Sequence, residues 1–568
     1  MSISRSNIAT PICSSNQNND ERLRENHRID YGKNAPLKLP AGDARRCSSA
    51  RSQHPFFLSV LNFSGIVVLS TQINRSHFYL KMFRTIRYEK FTRDWKISSY
   101  IYSAADTAFR PQQQASRLSS FKEILMKSSK RKICQVLALV VSGMGASLAM
   151  AAGPVIQGGG SSLVAPTLGT ASPAAGEFGL YGTASATFTY YSVGSGAGQN
   201  AFLNNQPTYF GSGVTGTVDF ANSDAALTTA QVTSYNASTV GANSGPLIQI
   251  PYIVTAITVP VVNGPAVTSS ITPQTTPGQA HSIALNDDDL CGIFSGKITD
   301  WGHVVNPETG TFYASSAPIK VVYRADGSGT TELLTRHLAA VCTTNNTASG
   351  VKFIDSLTFA NTSAFPTGVP ANFIAASGSG GVRASLASLS TAGTAAVAYL
   401  SPDYTNTYIA SQSSVVTSSG ALQLPLASLY NAKDTKYYAP TYANATTAIG
   451  TISAPSTKAT AADPTQWVPV SGTPYTNLAN PSAGYPVSGT SQIILSQCYA
   501  NATVASNVQS FLNHHYTDAS YASVVHGNGF DTVPSGFQTA ISADFLSNTS
   551  GYGLDINNAN SCLQYVGR

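Results

Sequence analysis

The stretch that most constrains this chain is Ile319–Leu338, which reads Ile-Lys-Val-Val-Tyr-Arg-Ala-Asp-Gly-Ser-Gly-Thr-Thr-Glu-Leu-Leu-Thr-Arg-His-Leu. The β-branched run through Val322 predicts a strand, and the apolar spacing after Thr331 predicts a helix. Two glycines between them leave room only for a tight turn. A strand that turns directly into a helix must pack that helix on a sheet, which points to an α/β architecture. The same turn suits an oxyanion. Glycines let the backbone approach a ligand, Ser328 and Thr330 carry hydroxyl donors, and the first helical N–H groups bear the positive end of the helix dipole. Arg324 adds a planar fork that matches phosphate or carboxylate. The competing reading is an ordinary strand–helix turn capped by Ser or Thr.

The pattern recurs along the chain. Leu247–Val254, Ile319–Tyr323 and Ala395–Leu400 read as strands, and Asp288–Phe294, Thr331–Val341, Gly380–Leu389 and Asn507–Tyr516 read as helices. Residues 405–490 differ, being rich in Ser, Thr, Ala, Pro and Tyr with few charges. They are expected to form strands and long surface loops, with a linker as the alternative.

Charge divides the chain. Beyond Gly153 lie 10 of the 33 basic and 18 of the 27 acidic residues, a balance of −8, so residues 1–152 hold 23 basic against 9 acidic residues, a balance of +14. The acidic remainder argues against nucleic acid and anionic membrane surfaces as partners. At the divide, residues 126–152 have a basic start, a short apolar run and the small-x-small end Ala149-Met150-Ala151, the pattern of a secretory signal peptide cleaved near Ala151. The apolar run is too short and too broken by glycine for a stable membrane span. Signal peptides begin chains, so translation is expected to start at Met126, with residues 1–125 an over-extended reading frame; a basic N-terminal domain is the rival reading. Export through this leader predicts a periplasmic or extracellular protein.

Four cysteines follow the leader: Cys291, Cys342, Cys498 and Cys562. An even number in an exported chain predicts two disulfides with three possible pairings. Cys291–Cys342 and Cys498–Cys562 are expected, each pair lying within one region of the sequence.

Three further elements share the chemistry of the first. Gly158-Gly159-Gly160-Ser161-Ser162-Leu163 reads as a glycine loop ending in hydroxyls. Val193-Gly194-Ser195-Gly196-Ala197-Gly198 follows the strand-like Thr187–Tyr191. Val218–Leu227 ends a strand-like run on Asp224 at the head of a predicted helix, where a helix cap is the plainer reading. Each is weak alone. Taken in order they resemble the phosphate-binding receptors of phosphate ABC importers, which carry Gly-x-Gly-x-Thr-Phe, Gly-x-Gly-Ser, Gly-Ser-Asp and Arg-Ala-Asp-Gly-Ser-Gly-Thr in the same order. Leu290–Trp301, Thr358–Asn361, Tyr399–Asp403 and Ser496–Thr503 resemble the DING branch of exported phosphate-binding proteins, and the likeness covers nearly all of residues 155–565. The Asp-Ile-Asn-Gly start that names that branch stands here as Val155-Ile156-Gln157-Gly158. Ser162 replaces the usual Thr and keeps its hydroxyl, and Leu163 replaces a frequent Phe.

The resemblance implies a two-lobed periplasmic-binding-protein fold, type II-like, hinged between α/β lobes that close on the ligand. Residues 153–252 and 486–568 would form lobe I, and 253–485 lobe II with the Ser/Thr-rich insertion 405–485. It implies a phosphate site made by Ser162, Leu163, Ser195, Asp224, Arg324, Ser328, Gly329 and Thr330, with Asp326 orienting Arg324 from behind. Inorganic phosphate would be the ligand, an ABC permease the partner, and the protein a monomer without cofactor or metal. Asp224 would separate phosphate from sulfate. A carboxylate beside an anion is repulsive unless the anion donates a hydrogen bond, and near neutral pH phosphate keeps a proton whereas sulfate does not.

An enzyme is the runner-up, a secreted DING-like alkaline phosphatase acting on phosphomonoesters. Against it, the six histidines beyond the leader form no His-x-Glu-x-x-His cluster, and no Gly-x-Ser-x-Gly elbow or Gly-x-x-x-x-Gly-Lys-Ser/Thr loop occurs. Ser328 has no evident general base, and His514-His515 reads as a surface or packing pair without a carboxylate partner. A secreted surface or adhesive protein is a third reading, drawn from residues 405–490.

Overall fold

Leu247–Ala256, ten residues buried along their whole length, is the spine of the structure. Its apolar, β-branched sequence suits a strand covered on both faces. The computed structural model describes residues 153–313, 316–450 and 452–568. The leader-like segment 126–152 and residues 1–125 lie outside the described residues.

The spine belongs to a six-stranded sheet in the order Asp531–Thr532, Leu247–Ala256, Ser488–Ser496, Phe220–Ser223, Val155–Gly160, Thr187–Ser192. Val155–Gly160 pairs in parallel with both of its neighbours. Ser488–Ser496 runs antiparallel to Phe220–Ser223 and to the spine. A second sheet, of four strands, is ordered Phe373–Ala376, Lys320–Arg324, Ala396–Ala398, Val261–Val262. Its first three strands are parallel and the last is antiparallel. Helices cover both sheets, as parallel strands require.

Two passages of chain join the sheets. One leaves the spine after Ala256 and reaches Val261; the other returns through Val487 into Ser488–Ser496. They lie side by side, with the Ile257 N–H donating to the Val487 carbonyl at 2.8 Å. The result is two α/β lobes hinged on a pair of adjacent crossings.

Local sequence readings hold for the helices, which run Asp287–Ser295, Gly329–Val341, Gly378–Thr391 and Ala502–Thr517. Three features differ from the sequence reading. Gly158–Gly160 forms the end of a strand and not a loop. A Cβ on Gly158 would fall 2.3 Å from the Phe220 ring, and one on Gly160 (φ +134°) 2.1 Å from the Asn222 carbonyl oxygen. These glycines therefore serve close strand packing. Asp224 does not head a helix; it sits in the turn after Phe220–Ser223, and the next helix begins at Thr229 with Thr228 as its cap. Segment 405–485 carries the helices Tyr442–Ile449 and Gly472–Ala479 beside its short strands, and it buries Leu424, Leu429, Trp467 and Tyr485. Its hydroxyls go partly into helix caps, Thr441 accepting from the Asn444 N–H and Thr457 from that of Thr460.

Both expected disulfides are formed. Cys291 and Cys342 lie 5.5 Å apart at Cα, and Cys498 and Cys562 5.6 Å. No helix among the described residues is long and apolar enough to cross a membrane.

Candidate functional site

The strands Val155–Gly160, Phe220–Ser223 and Lys320–Arg324 deliver their C-terminal ends to one place between the lobes, where the helices Ser195–Leu203, Gly329–Val341 and Gly378–Thr391 begin. Asp224 is at the centre, 1% exposed. Its Oδ1 accepts from the Ser161 hydroxyl at 2.6 Å and the Ser491 hydroxyl at 2.8 Å, and neither of these donors takes Oδ2. Its own N–H donates to Ser195 Oγ at 3.2 Å. Burial pushes the Asp224 carboxyl above its ordinary pKa, against the opposing pull of the two serine hydroxyls, the Arg324 charge and the nearby Thr330 hydroxyl.

Lobe II meets lobe I directly. A Cβ on Gly329 would stand 2.5 Å from the Asp224 Cβ and 2.7 Å from the Ala225 nitrogen, so only glycine fits there at this separation. The Gly196 N–H donates to the Gly327 carbonyl at 3.0 Å, a backbone bond across the cleft. Ser328 caps its helix, its Oγ accepting from the Thr331 N–H at 3.3 Å. The first N–H groups of that helix, on Gly329 and Thr330, have no intrahelical acceptor. Thr330 Oγ1 is buried without a hydrogen-bond partner among the described residues.

Arg324 ends its strand, 2% exposed. Its Nε donates to Asp326 Oδ1 at 2.8 Å and its Nη2 to Asp326 Oδ2 at 2.5 Å. The Gly378 N–H also donates to Asp326 Oδ1, at 2.8 Å. Burial pushes the Asp326 carboxyl up, but the Arg324 hydrogen bonds and charge outweigh it and hold the group below its ordinary value. With one edge of the guanidinium taken, Nη1 points to Ser379 Oγ at 3.4 Å.

All eight residues named from the sequence as a ligand set come together here, with Asp326 behind Arg324. Two stand differently from the expectation. The Leu163 N–H already donates to Ser161 Oγ at 3.1 Å, and Ser162 Oγ meets Ser379 Oγ at 2.9 Å. Sequence reading missed Ser161, Ser379 and Ser491. Ser379 had a signal, the Gly-Ser-Gly-Gly run opening a helix directly after a strand. Ser491, 267 residues from its partner Asp224, had none.

The histidine pair also differs from its reading. His515 is buried, with Nδ1 on Glu177 Oε1 at 2.7 Å and Nε2 donating to the Tyr252 carbonyl at 2.8 Å. His514 holds Asp518 at 2.7 Å. Both therefore have carboxylate partners, in lobe I and away from Asp224. A cleft of about 750 Å³ lined by Ser453, Pro455, Asp463, Pro469 and Asn477 shares no residue with the converged loops. Among the described residues, no three His, Cys, Asp or Glu side chains gather as a metal-binding group.

Two α/β lobes on paired crossings, with helix N-termini aimed into the cleft between them, define the two-lobed solute-binding class of protein. The sequence profile of a PBP superfamily domain matches residues 147–518. "Alkaline phosphatase L" of Pseudomonas aeruginosa is 37% identical over 293 residues, covering 51% of this chain and 64% of that protein. A "Phosphate-binding protein" from an unknown prokaryotic organism is 34% identical over 283 residues, covering 50% of this chain and 67% of that one. The matched part thus spans about two thirds or less of these curated relatives. Among solved structures, a high-affinity periplasmic phosphate-binding protein (PfluDING) bound with phosphate superposes with a TM-score of 0.57 at 32% identity, covering 73% of this chain and 99% of its own. The phosphate-binding protein of Stenotrophomonas maltophilia gives 0.55 at 30% identity with the same coverage. This chain belongs to the PBP superfamily, and within it to the DING-type phosphate-binding proteins.

Proposed function

We propose that this protein encloses inorganic phosphate between its lobes, after export, and serves phosphate uptake through an ABC permease. The observation that carries the reading is the state of Asp224. It is a buried carboxylate between helix N-termini and Arg324, with two serine donors directed to Oδ1. An anion that brings its own proton to Oδ2 turns repulsion into a hydrogen bond, and one without a proton leaves two negative groups facing each other out of water. Ser162, Ser195, Ser328 and Thr330 supply hydroxyls, Gly329 and Thr330 supply backbone N–H groups, and Arg324 supplies the counter-charge, while the Leu163 N–H is held by Ser161 Oγ. In this reading residues 126–152 are the leader, cleaved near Ala151. Residues 153–252 with 486–568 make lobe I, residues 253–485 make lobe II, and the product works in the periplasm or outside the cell. The periplasmic protein among its structural neighbours supports that location.

Calorimetric titration with phosphate and with sulfate tests the reading. The unaltered chain is expected to prefer phosphate by about 10⁴-fold or more, in the range reached by a site built on one required hydrogen bond. Asp224→Asn, which donates as well as accepts, is expected to close most of that gap. Equal discrimination by the variant removes Asp224 from the role. A second reading, a phosphomonoesterase, is favoured by the likeness to "Alkaline phosphatase L". Turnover of a chromogenic phosphate ester that phosphate inhibits and Asp224→Asn abolishes would establish it.

A further inference from the structure

The helix Gly378–Thr391 enters the cleft from lobe II, and its second residue joins the lobes. Ser379 is fully buried. Its N–H donates to Ser162 Oγ at 3.2 Å and its hydroxyl lies 2.9 Å from the same atom, while Arg324 Nη1 donates to Ser379 Oγ at 3.4 Å. The neighbouring Gly378 N–H is used on Asp326, so this helix start is wired to both Arg324 and its orienting carboxylate. Ser377, at the cap position, is exposed and makes no side-chain cap bond.

The direction of these bonds matters. Arg324 has protons only to give, so the Ser379 oxygen receives one, and the Ser379 proton is free to go to Ser162 Oγ. Ser162 Oγ then accepts twice, from the Ser379 N–H and the Ser379 hydroxyl. Its own proton is left to point into the cleft. A row of donors that starts on a buried cation and ends on a free O–H polarises in one sense, each bond strengthening the next.

We propose that Ser379 is the positioning residue of this site: it latches lobe II to Ser162 on closure and orients the Ser162 hydroxyl as a donor to the bound anion. The proposal rests on the phosphate reading above. It adds a residue to the ligand-orienting set from a helix that holds none of the eight ligand residues.

The test is phosphate titration of the full chain with dissociation rates by stopped flow. Ser379→Ala is expected to weaken phosphate binding about 5–30-fold, the range for one lost hydrogen bond, mainly through faster release, because the latch acts only when the lobes are closed. Ser379→Thr, which keeps the hydroxyl, is expected to recover most of the affinity, and Ser377→Ala to leave it unchanged. A cycle with Ser162→Ala separates orientation from general packing, since the double variant should lose clearly less than the product of the two single losses. If Ser379→Ala gives no cooperative melt, Ser379→Gly keeps the N–H without the hydroxyl and carries the same expectation. Unchanged affinity and release in the hydroxyl-free variant, or independent effects in the cycle, overturns the proposal alone. An unaltered chain that does not bind phosphate removes the phosphate reading and this proposal together.

Discussion

Replacing Gly329 by alanine isolates lobe closure from the chemistry of the ligand groups. Gly329 is the first residue of its helix and its φ lies outside the left-handed region, so alanine suits the backbone there. Alanine is also the better helix former by up to about 1 kcal/mol. The added methyl, however, would lie 2.5 Å from the Asp224 Cβ and 2.7 Å from the Asp224 Cα and Ala225 nitrogen. Carbon atoms rest at about 3.5–4.0 Å, so the lobes must part locally by about 1 Å. The obstruction is backbone and Cβ, which have no rotamer to yield. The N–H of residue 329 remains, so no donor is deleted. What is lost is the fit of donors from both lobes around one anion. Hydrogen bonds to charged groups contribute about 1.5–3 kcal/mol each, and losing one or two of them weakens binding by about 10–10⁴-fold. Calorimetric titration with phosphate gives the affinity, and melting without phosphate gives the stability. Gly329→Ala is expected to melt at or above the temperature of the unaltered chain while binding far more weakly. Affinity retained within about threefold would show that closure does not depend on this contact, and the steric account would fall.

Asp289 predicts a pH effect remote from the cleft. It is buried at the start of Asp287–Ser295, where burial pushes its carboxyl up to about 7 despite hydrogen bonds from the Asn286 and Val305 N–H groups. A raised carboxyl pKa means the folded state holds the proton longer than the unfolded one. Its contribution is thus greatest below about pH 4 and declines up to about pH 7, by at most ~1.4 kcal/mol per pH unit. Asp289→Asn should flatten that decline in urea midpoints measured across the interval; an unchanged slope assigns it to other groups. Removing the Cys498–Cys562 bridge by paired alanines should lower stability by about 2–4 kcal/mol in urea unfolding, since it closes a long loop. That bridge spans 64 residues. A loss below about 0.5 kcal/mol would mean that the surrounding packing already restrains the chain.

Much of this architecture is written in short stretches. The β-branched run ending at Arg324 and the apolar spacing from Leu333 to Leu338 specify strand and helix within about twenty residues, because backbone sterics and helix periodicity act at that range. The same holds for the helices that start near Asp287, Gly378 and Ala502, and for the acidic balance that follows Gly153. Resemblance to a family then supplied a grouping of eight distant residues that periodicity alone could not make. Other features depend on partners far away in the chain. Gly158 and Gly160 read as a loop until Phe220 and Asn222 are seen pressed against them, and Asp224 reads as a helix cap until the chain is seen to turn. His515 finds its carboxylate in Glu177, 338 residues away.

The sequence by itself determined the strand–turn–helix units, the hydroxyl and arginine donors they carry, and an even set of four cysteines beyond Gly153. Tertiary structure alone decided that Ser491 and Ser161 share one oxygen of Asp224, and that Ser379 reaches Ser162 across the cleft. Those contacts follow from strand order and from the approach of the two lobes. Such long-range geometry leaves no periodic trace in a serine or glycine codon, because the residue itself is locally indifferent to the partner it will meet.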